Sequence, residues 1–351
     1  MYKVSVVIPI YNVEKYIVRC AESLFSQTLD DIQFIFVDDA SPDKSVTLLE
    51  QTLERFPKQK PHTIILHHAH NLGLPTARAT GLARVEAPYV AHCDSDDYVE
   101  PTMYEKLYNC AIQNDSDMVI CGRKIHCIDG REYNEFDKLC LKNSFVYNFL
   151  YGYLSPYVWT RLTKTDIYRR VLFPTENYLE DWVQTAQLLT YSFRITFSND
   201  CLYHYVRNPF SITNTPKPDT VDGKLQQCIK NYNLMHDFIM KHHQINEKDF
   251  SFRKEIIRRR FLPLIKRKQY MRIFPEINYS LLFNLRIPWS YRASHLFELL
   301  GLYSVVKRIY DFIRKNLYII RTSFYGHFSR PDCFRETSLN RKGVLYLWPH
   351  H

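Results

Sequence analysis

The sequence has no glycine-rich phosphate loop. Its nine glycines are scattered over 351 residues. No GxGxxG follows the first apolar run, where the chain reads IPIYN, and no GxxxxGK(S/T) occurs. A dinucleotide fingerprint and a P-loop are both excluded. The nine cysteines include no CxxC pair. An odd, unpatterned count argues against a disulfide framework and fits buried thiols in a reducing compartment. No stretch approaches the ~18 consecutive apolar residues that span a bilayer. The opening MYKVSVVIPIYN lacks the small-residue cleavage site of a signal peptide and reads directly as a strand. The expectation is a cytoplasmic protein.

What is present is a globular composition, 46% hydrophobic and 24% charged. The length suffices for an enzyme domain and a second element. The net charge of +9 is unevenly placed. Residues 1–214 carry about −5 and residues 215–351 about +14. A near-neutral part and a strongly basic part suggest different tasks.

Apolar runs suited to buried strands occur at 4–10 (VSVVIPI), 32–37 (IQFIFV), 63–66 and 89–93. Helical spacing separates them at 13–27, from Ser41-Pro42 to about residue 55, and at 75–85. Ser as N-cap with Pro in the first turn makes Ser41-Pro42 a good helix start. The repeated β-α order predicts an α/β fold with a mostly parallel central sheet. In such sheets ligands bind at the carboxyl ends of the strands. Polar residues collect at those ends: Tyr11-Asn12, Asp38-Asp39, and the cluster Asp94, Asp96 and Asp97 within YVAHCDSDDY. Clustered carboxylates repel one another and call for a cation. Mg2+ or Mn2+ commonly takes one or two carboxylates plus substrate phosphates. The competing reading is a solvated acidic turn before a helix at Glu100-Pro101, but three aligned polar strand ends favour a nucleotide and metal cleft.

In this order, VSVVIPIYNVEKYI, FIFVDDASPDKS, NLGLPTARATGL and VAHCDSDDY resemble the family 2 glycosyltransferases of GT-A fold. The resemblance is strong over residues 3–110 and looser to 214. It implies a GT-A nucleotide-sugar-binding domain over 1–214. Pro9, Tyr11, Asn12 and Glu14 would frame the nucleotide pocket. Asp39 would accept from uracil or ribose. Asn71, Gly73 and Arg78 would line the base and diphosphate side. Asp94 would touch the ribose beside Ser95, and Asp96 would ligate Mn2+ or Mg2+ as the last residue of a DxD motif. Asp97 would lie near the donor sugar. The pair Glu180-Asp181 matches the family's E-D pair, with Asp181 the catalytic base and Glu180 its neighbour at the donor; capping of a helix is the competing reading. Residues 157–162 (YVWTRL) resemble a stretch near the acceptor, where Trp159 is either a sugar-stacking or a core residue. Residues 201–213 resemble the segment that closes the domain, with His204 a candidate further metal ligand and Arg207 a candidate phosphate fork.

The resemblance implies inverting transfer from a nucleotide sugar, UDP-linked, to a hydroxyl of a glycan or lipid-linked acceptor in cell-surface polysaccharide synthesis. The absence of QxxRW and of membrane spans argues against a processive synthase. Two other classes compete. A non-catalytic sugar-nucleotide or glycan binder is opposed by the intact Asp94, Asp96 and Asp181. A nucleotidylyltransferase is opposed by the missing Gly-rich basic loop. Further strand signals lie at 118–121, a hairpin or loop with Asp129-Gly130 at 122–140, and helical signals at 143–153. Residues 213–223 read as a linker. Residues 215–351 read as a basic, mainly helical region with clusters at 258–260 and 266–268 and an aromatic-rich basic stretch at 294–320. Such a helix suits an anionic membrane surface at the inner leaflet, a partner, or its own core. No nucleic-acid-binding signature accompanies the basic runs.

Overall fold

The computed structural model describes residues 1–139, 144–208, 221–261 and 289–302, with isolated positions at 282–283, 285 and 305 and the segment 344–346, less a few side chains. Strand β1 (Val4–Ile10) is the continuous apolar run after Lys3, and it is buried along its length. Parallel β2 (Ile32–Asp38) lies on one side, with Val4 opposite Ile32. Parallel β3 (Thr63–His67) is the edge beyond it. On the other side β4 (Tyr89–His92) pairs in parallel, Val4 opposite Tyr89. Helices α1 (Ile17–Phe25), α2 (Ser45–Glu54) and α3 (Leu74–Leu82) make the connections.

Beyond β4 the sheet becomes mixed. Short β5 (Tyr98–Val99) and α4 (Met103–Gln113) lead into β6 (Met118–His126), which turns at Asp129-Gly130 into antiparallel β7 (Glu132–Glu135). The hairpin expected there is present. After α5 (Phe145–Leu150), β8 (Arg161–Lys164) runs antiparallel between β4 and β6. Helices α6 (Thr165–Tyr168) and α7 (Glu180–Tyr191) follow, then β9 (Arg194–Val206), parallel to β6. Strand β10 (Val344–Tyr346) closes that edge, antiparallel to β9.

Side chains alternate across the sheet, so each face has its own core. Val7, Ile35 and Val90 face α5 and α7, while Val6, Ile8, Phe34 and Phe36 face α1 and α4. Each fully buried side chain of this size contributes about 1.5–3 kcal/mol.

Two expectations need correction. Helix α2 starts at Ser45, not at Ser41-Pro42. The Ser41 hydroxyl instead accepts from the Asn12 N–H (2.8 Å) and donates to Asp43 (2.7 Å), and Asp43 takes the Ser45 N–H. Those bonds tie the loop after β1 to the loop after β2. The linker read over 213–223 is already helical at its end, because α8 runs Val221–His242; residues 213–220 lie outside the described residues. Helix α8 buries Val221, Leu225, Cys228 and Met235 in the same core as α7. Helix α9 (Ser251–Phe261) covers the bases of α5 and α7 through Arg253, and α10 (Trp289–Leu299) lies further on. The basic side chains at 258–260 and the stretches 262–270 and 306–320 lie outside the described residues. Among the described residues, no helix is long and apolar enough to cross a membrane.

Candidate active site

The parallel strands deliver their carboxyl ends to one rim, where a cavity of about 990 Å3 opens. Pro9 near the end of β1, Tyr11 and Asn12 after it, Asp39 after β2, and Asn71 and Gly73 before α3 line it. So do Arg78 on α3, Asp94, Ser95 and Asp96 after β4, and Glu180 and Asp181 on the first turn of α7. Glu14, Asp97, His204 and Arg207 do not.

The rim is held by the protein's own hydrogen bonds. Asp39 accepts from the N–H groups of Leu72 and Gly73 (2.8 Å each) and bonds His68 Nδ1 (2.7 Å). It therefore fixes the loop that opens α3, and its carboxylate is already engaged. Gly73 has φ 90°, and a Cβ there would stand 2.5 Å from Asn177 Oδ1. Asn177 in turn accepts from the Leu74 N–H (2.9 Å) at the start of α3. Asn12 and Ala40, just past β1 and β2, also have left-handed backbones (φ 55° and 56°). Strain of this kind costs of order 1 kcal/mol or more and collects at functional rims. Glu14 sits outside the cavity and joins the same two loops: its N–H donates to Asp43, and its carboxylate accepts from the Lys44 N–H.

The three aspartates after β4 divide in role. Asp94 pairs with Arg78 Nη2 at 2.7 Å. Ser95 donates to the Pro9 carbonyl (2.7 Å), fastening the loop to β1. Asp96 faces the cavity, and its carboxyl is pushed up to about 6 by burial and then by the charge of Asp94, despite a bond from Asn208. Asp97 is turned away from the cavity. It accepts from the Tyr203 hydroxyl (2.8 Å) and the Val206 N–H (2.7 Å), and it is buried. Its place near a donor sugar is thus not what the geometry provides; it ties the loop to β9.

His204 and Arg207 lie apart as well. His204 bonds Glu100 through Nε2 and His126 through Nδ1 (2.8 Å each), stacked on Tyr98. Arg207 is exposed and donates to the Tyr133 hydroxyl. Trp159 lines the cavity and is 4% exposed, with the rings of Tyr157 and Tyr203 stacked on it at 4.7 and 4.2 Å.

Helix α7 brings Glu180 and Asp181 to the same cavity, and Arg78 links Glu180 to Asp94. Leu179, in a left-handed conformation, turns the chain into the helix. Glu180 pairs with Arg78 Nη1 and accepts from Gln184. The Asp181 carboxyl is raised to about 7 by burial and then by the charge of Glu180. Arg78 is buried between Asp94 and Glu180; burial alone would lower its guanidinium, but the two carboxylates more than offset that and hold it above its usual value. Tyr157, Tyr205, Asn208, Asn177, Trp182 and Arg253 also line the cavity. Sequence reading missed most of these because their only common property is a place in space. Asn177 alone carried a local signal, three residues before Glu180 in the segment FPTENYLED.

The sequence matches the glycosyl transferase family 2 profile over residues 5–173. The uncharacterized glycosyltransferase EpsJ of Bacillus subtilis (strain 168) is 32% identical over 236 residues, 64% of this chain and 67% of that one. The chain belongs to glycosyl transferase family 2. The poly(ribitol-phosphate) beta-glucosyltransferase of Bacillus spizizenii is 30% identical over 212 residues, 58% of this chain and 32% of that protein, so the chain spans about a third of its length. Among solved structures, S. aureus TarS 1–349 in complex with UDP-GlcNAc has a TM-score of 0.60 at 17% identity, over 88% of this chain and 91% of that one. That likeness establishes a shared GT-A-like fold. This family 2 glycosyltransferase is thus an enzyme of the class its motifs resemble, related to enzymes of bacterial surface-polymer synthesis.

Proposed function

We propose that this family 2 glycosyltransferase moves a hexosyl or N-acetylhexosaminyl group from a UDP-linked donor to a hydroxyl of a glycan or lipid-linked acceptor, with inversion at the anomeric carbon. The observation that carries the reading is one cavity that collects carboxylates from two elements. Asp94 and Asp96 come from the loop after β4, and Asp181, raised to about 7, comes from the first turn of α7. Tyr11, Asn12, Asn71 and Gly73 flank the wall where a nucleotide would lie.

The residues fit a hard divalent cation. Burial and the charge of Asp94 raise the Asp96 carboxyl more than Asn208 and Arg19 lower it, which marks a negative site that a cation would relieve. Among the described residues no group of three or more His, Cys, Asp or Glu side chains forms a metal cage. Asp96 would therefore share Mn2+ or Mg2+ with the diphosphate oxygens. When bound, such an ion neutralises the charge that gathers on the leaving diphosphate.

The protein's own part is proton transfer and orientation. The acceptor hydroxyl enters from the side opposite the diphosphate and gives its proton to the Asp181 carboxylate. The anomeric carbon is oxocarbenium-like as the bond to the leaving oxygen breaks. A single displacement needs no nucleophilic carboxylate and inverts the centre. Helices α8 and α9 border the cavity through Cys228, Arg253 and Ile257; this wall is the acceptor side. Calorimetry with UDP and Mn2+ tests the reading: the wild type binds, Asp96→Ala loses the metal-dependent part of the affinity, and Asp181→Asn binds as the wild type does. Equal binding with and without Mn2+ in both wild type and Asp96→Ala would remove Asp96 from the metal role.

A further inference from the structure

Glu180 and Asp181 are adjacent carboxylates on one helical turn, yet their surroundings differ. Glu180 is 4% exposed, and both its oxygens are engaged, one by Arg78 and the other by Gln184 a turn along α7. Arg78 is 2% exposed and gives its second terminal nitrogen to Asp94 at 2.7 Å. Its guanidinium is thus turned to two protein carboxylates rather than to the open cavity. Asp181 lines the same cavity, and among the described residues no Lys or Arg forms an ion pair with it, although the Arg78 charge reaches it.

We propose that Arg78, Glu180 and Gln184 form a positioning unit that keeps Glu180 a fixed charge beside Asp181, so that Asp181 is the carboxyl of the pair that takes up the acceptor's proton. The inference rests on the reading of Asp181 as the base. It makes Glu180 and Arg78 positioning residues instead of donor ligands.

Three physical points support it. A like charge within a few ångströms raises a carboxyl's proton affinity, and a cation lowers it. Burial raises the Glu180 carboxyl, and the Arg78 guanidinium and the Gln184 bond oppose that, while Arg78 lowers Asp181 less than Glu180 raises it. A buried pair with an additional hydrogen bond holds its geometry, so the charge beside Asp181 does not move away on loading. The groups facing Asp181 come from several elements: Glu180 on its own helix, Arg78 on α3, Asp94 after β4, Tyr157 before β8 and Arg161 on β8. Arg161 is held by the carbonyls of Ser155 and Tyr157. After burial, which raises Asp181 most, Glu180 and Arg78 are the strongest charges acting on it, with opposite signs.

The test is an NMR titration of isotope-labelled aspartate carboxyls, with Asp181 assigned by the signal lost in Asp181→Asn. The expected wild-type midpoint is about 7. Glu180→Gln should lower it by about one unit, tenfold in proton affinity. Arg78→Met should move it upward, since two neighbouring carboxylates lose their cation, and Arg78→Lys should return it most of the way. If one substitution unfolds the chain, seen in its thermal melt, the folded one decides. An unmoved Asp181 midpoint in a folded Glu180→Gln or Arg78→Met variant overturns the inference. UDP calorimetry on the same proteins separates the two claims. UDP binding with unmoved midpoints defeats the positioning unit alone. No UDP binding with shifted midpoints defeats the nucleotide-sugar reading and leaves the unit standing.

Discussion

Burial and the charge of Glu180 raise the Asp181 carboxyl to about 7. As a base it must be ionised, so the transfer rate should fall tenfold per pH unit below that value and level off above it. A pH–rate profile checks this. Asp181→Asn should lower kcat by about 10²–10⁴-fold, the usual contribution of a placed base, with little change in UDP affinity. The same residue affects stability. Its folded value lies above the ~3.9 of an unfolded aspartate. The folded state therefore holds the proton more tightly, and that stabilisation is complete below about pH 4 and lost as pH rises to about 7. Asparagine has no charge to bury. The urea midpoint of Asp181→Asn should exceed the wild type's by more at about pH 8 than at about pH 4. At this scale the sequence was only partly legible. DSDD shows three acids, but that Asp97 is the one not lining the cavity depends on Tyr203 and Val206, about a hundred residues away. Glu180 and Asp181 were visible as a pair. The pairing of Glu180 with Arg78 was not, because Arg78 comes from another element.

Helix α3 decides the donor side at the scale of elements. It enters through Gly73 and lies close on the sheet at Gly81, where an added Cβ would come within 2.4 Å of Val7 Cγ1. Gly81→Ala should cost about 1–3 kcal/mol, as overpacking against a strand does. Gly73→Ala faces both a positive φ and the Asn177 amide, and should cost at least about 1 kcal/mol. Denaturation midpoints check both. Because α3 carries Arg78, Gly73→Ala should also weaken UDP binding at a temperature where it remains folded. The parallel strands were legible as elements because each is an unbroken apolar run between turns. The start of α2 was misread because Ser41 and Asp43 bond across to the loop after β1, a tertiary use of residues that locally look like a cap.

Over the whole molecule, the parallel half of the sheet presents the acidic rim and the mixed half supplies β8, β9 and α7 to close it. Helices α8 and α9 share the α7 core and border the cavity, so the division near residue 214 that composition suggests is not a break in packing. Charge counts register a change of composition but not the contact of Arg253 with the rings of Phe149 and Trp182. Filling that wall at the partly buried Ile256, as in Ile256→Trp, should raise the acceptor KM while leaving UDP affinity within about twofold if the proposed acceptor side is right.

The carboxylates after β4 and on α7 are proposed to form one metal-assisted transfer site for a UDP-linked sugar. Release of free nucleoside diphosphate from a panel of UDP- and GDP-linked sugars with Mn2+ or Mg2+ tests it most directly. The account predicts UDP release from a UDP-linked donor, lost with EDTA and in Asp96→Ala. Release from no donor, together with no UDP binding by calorimetry, would contradict it.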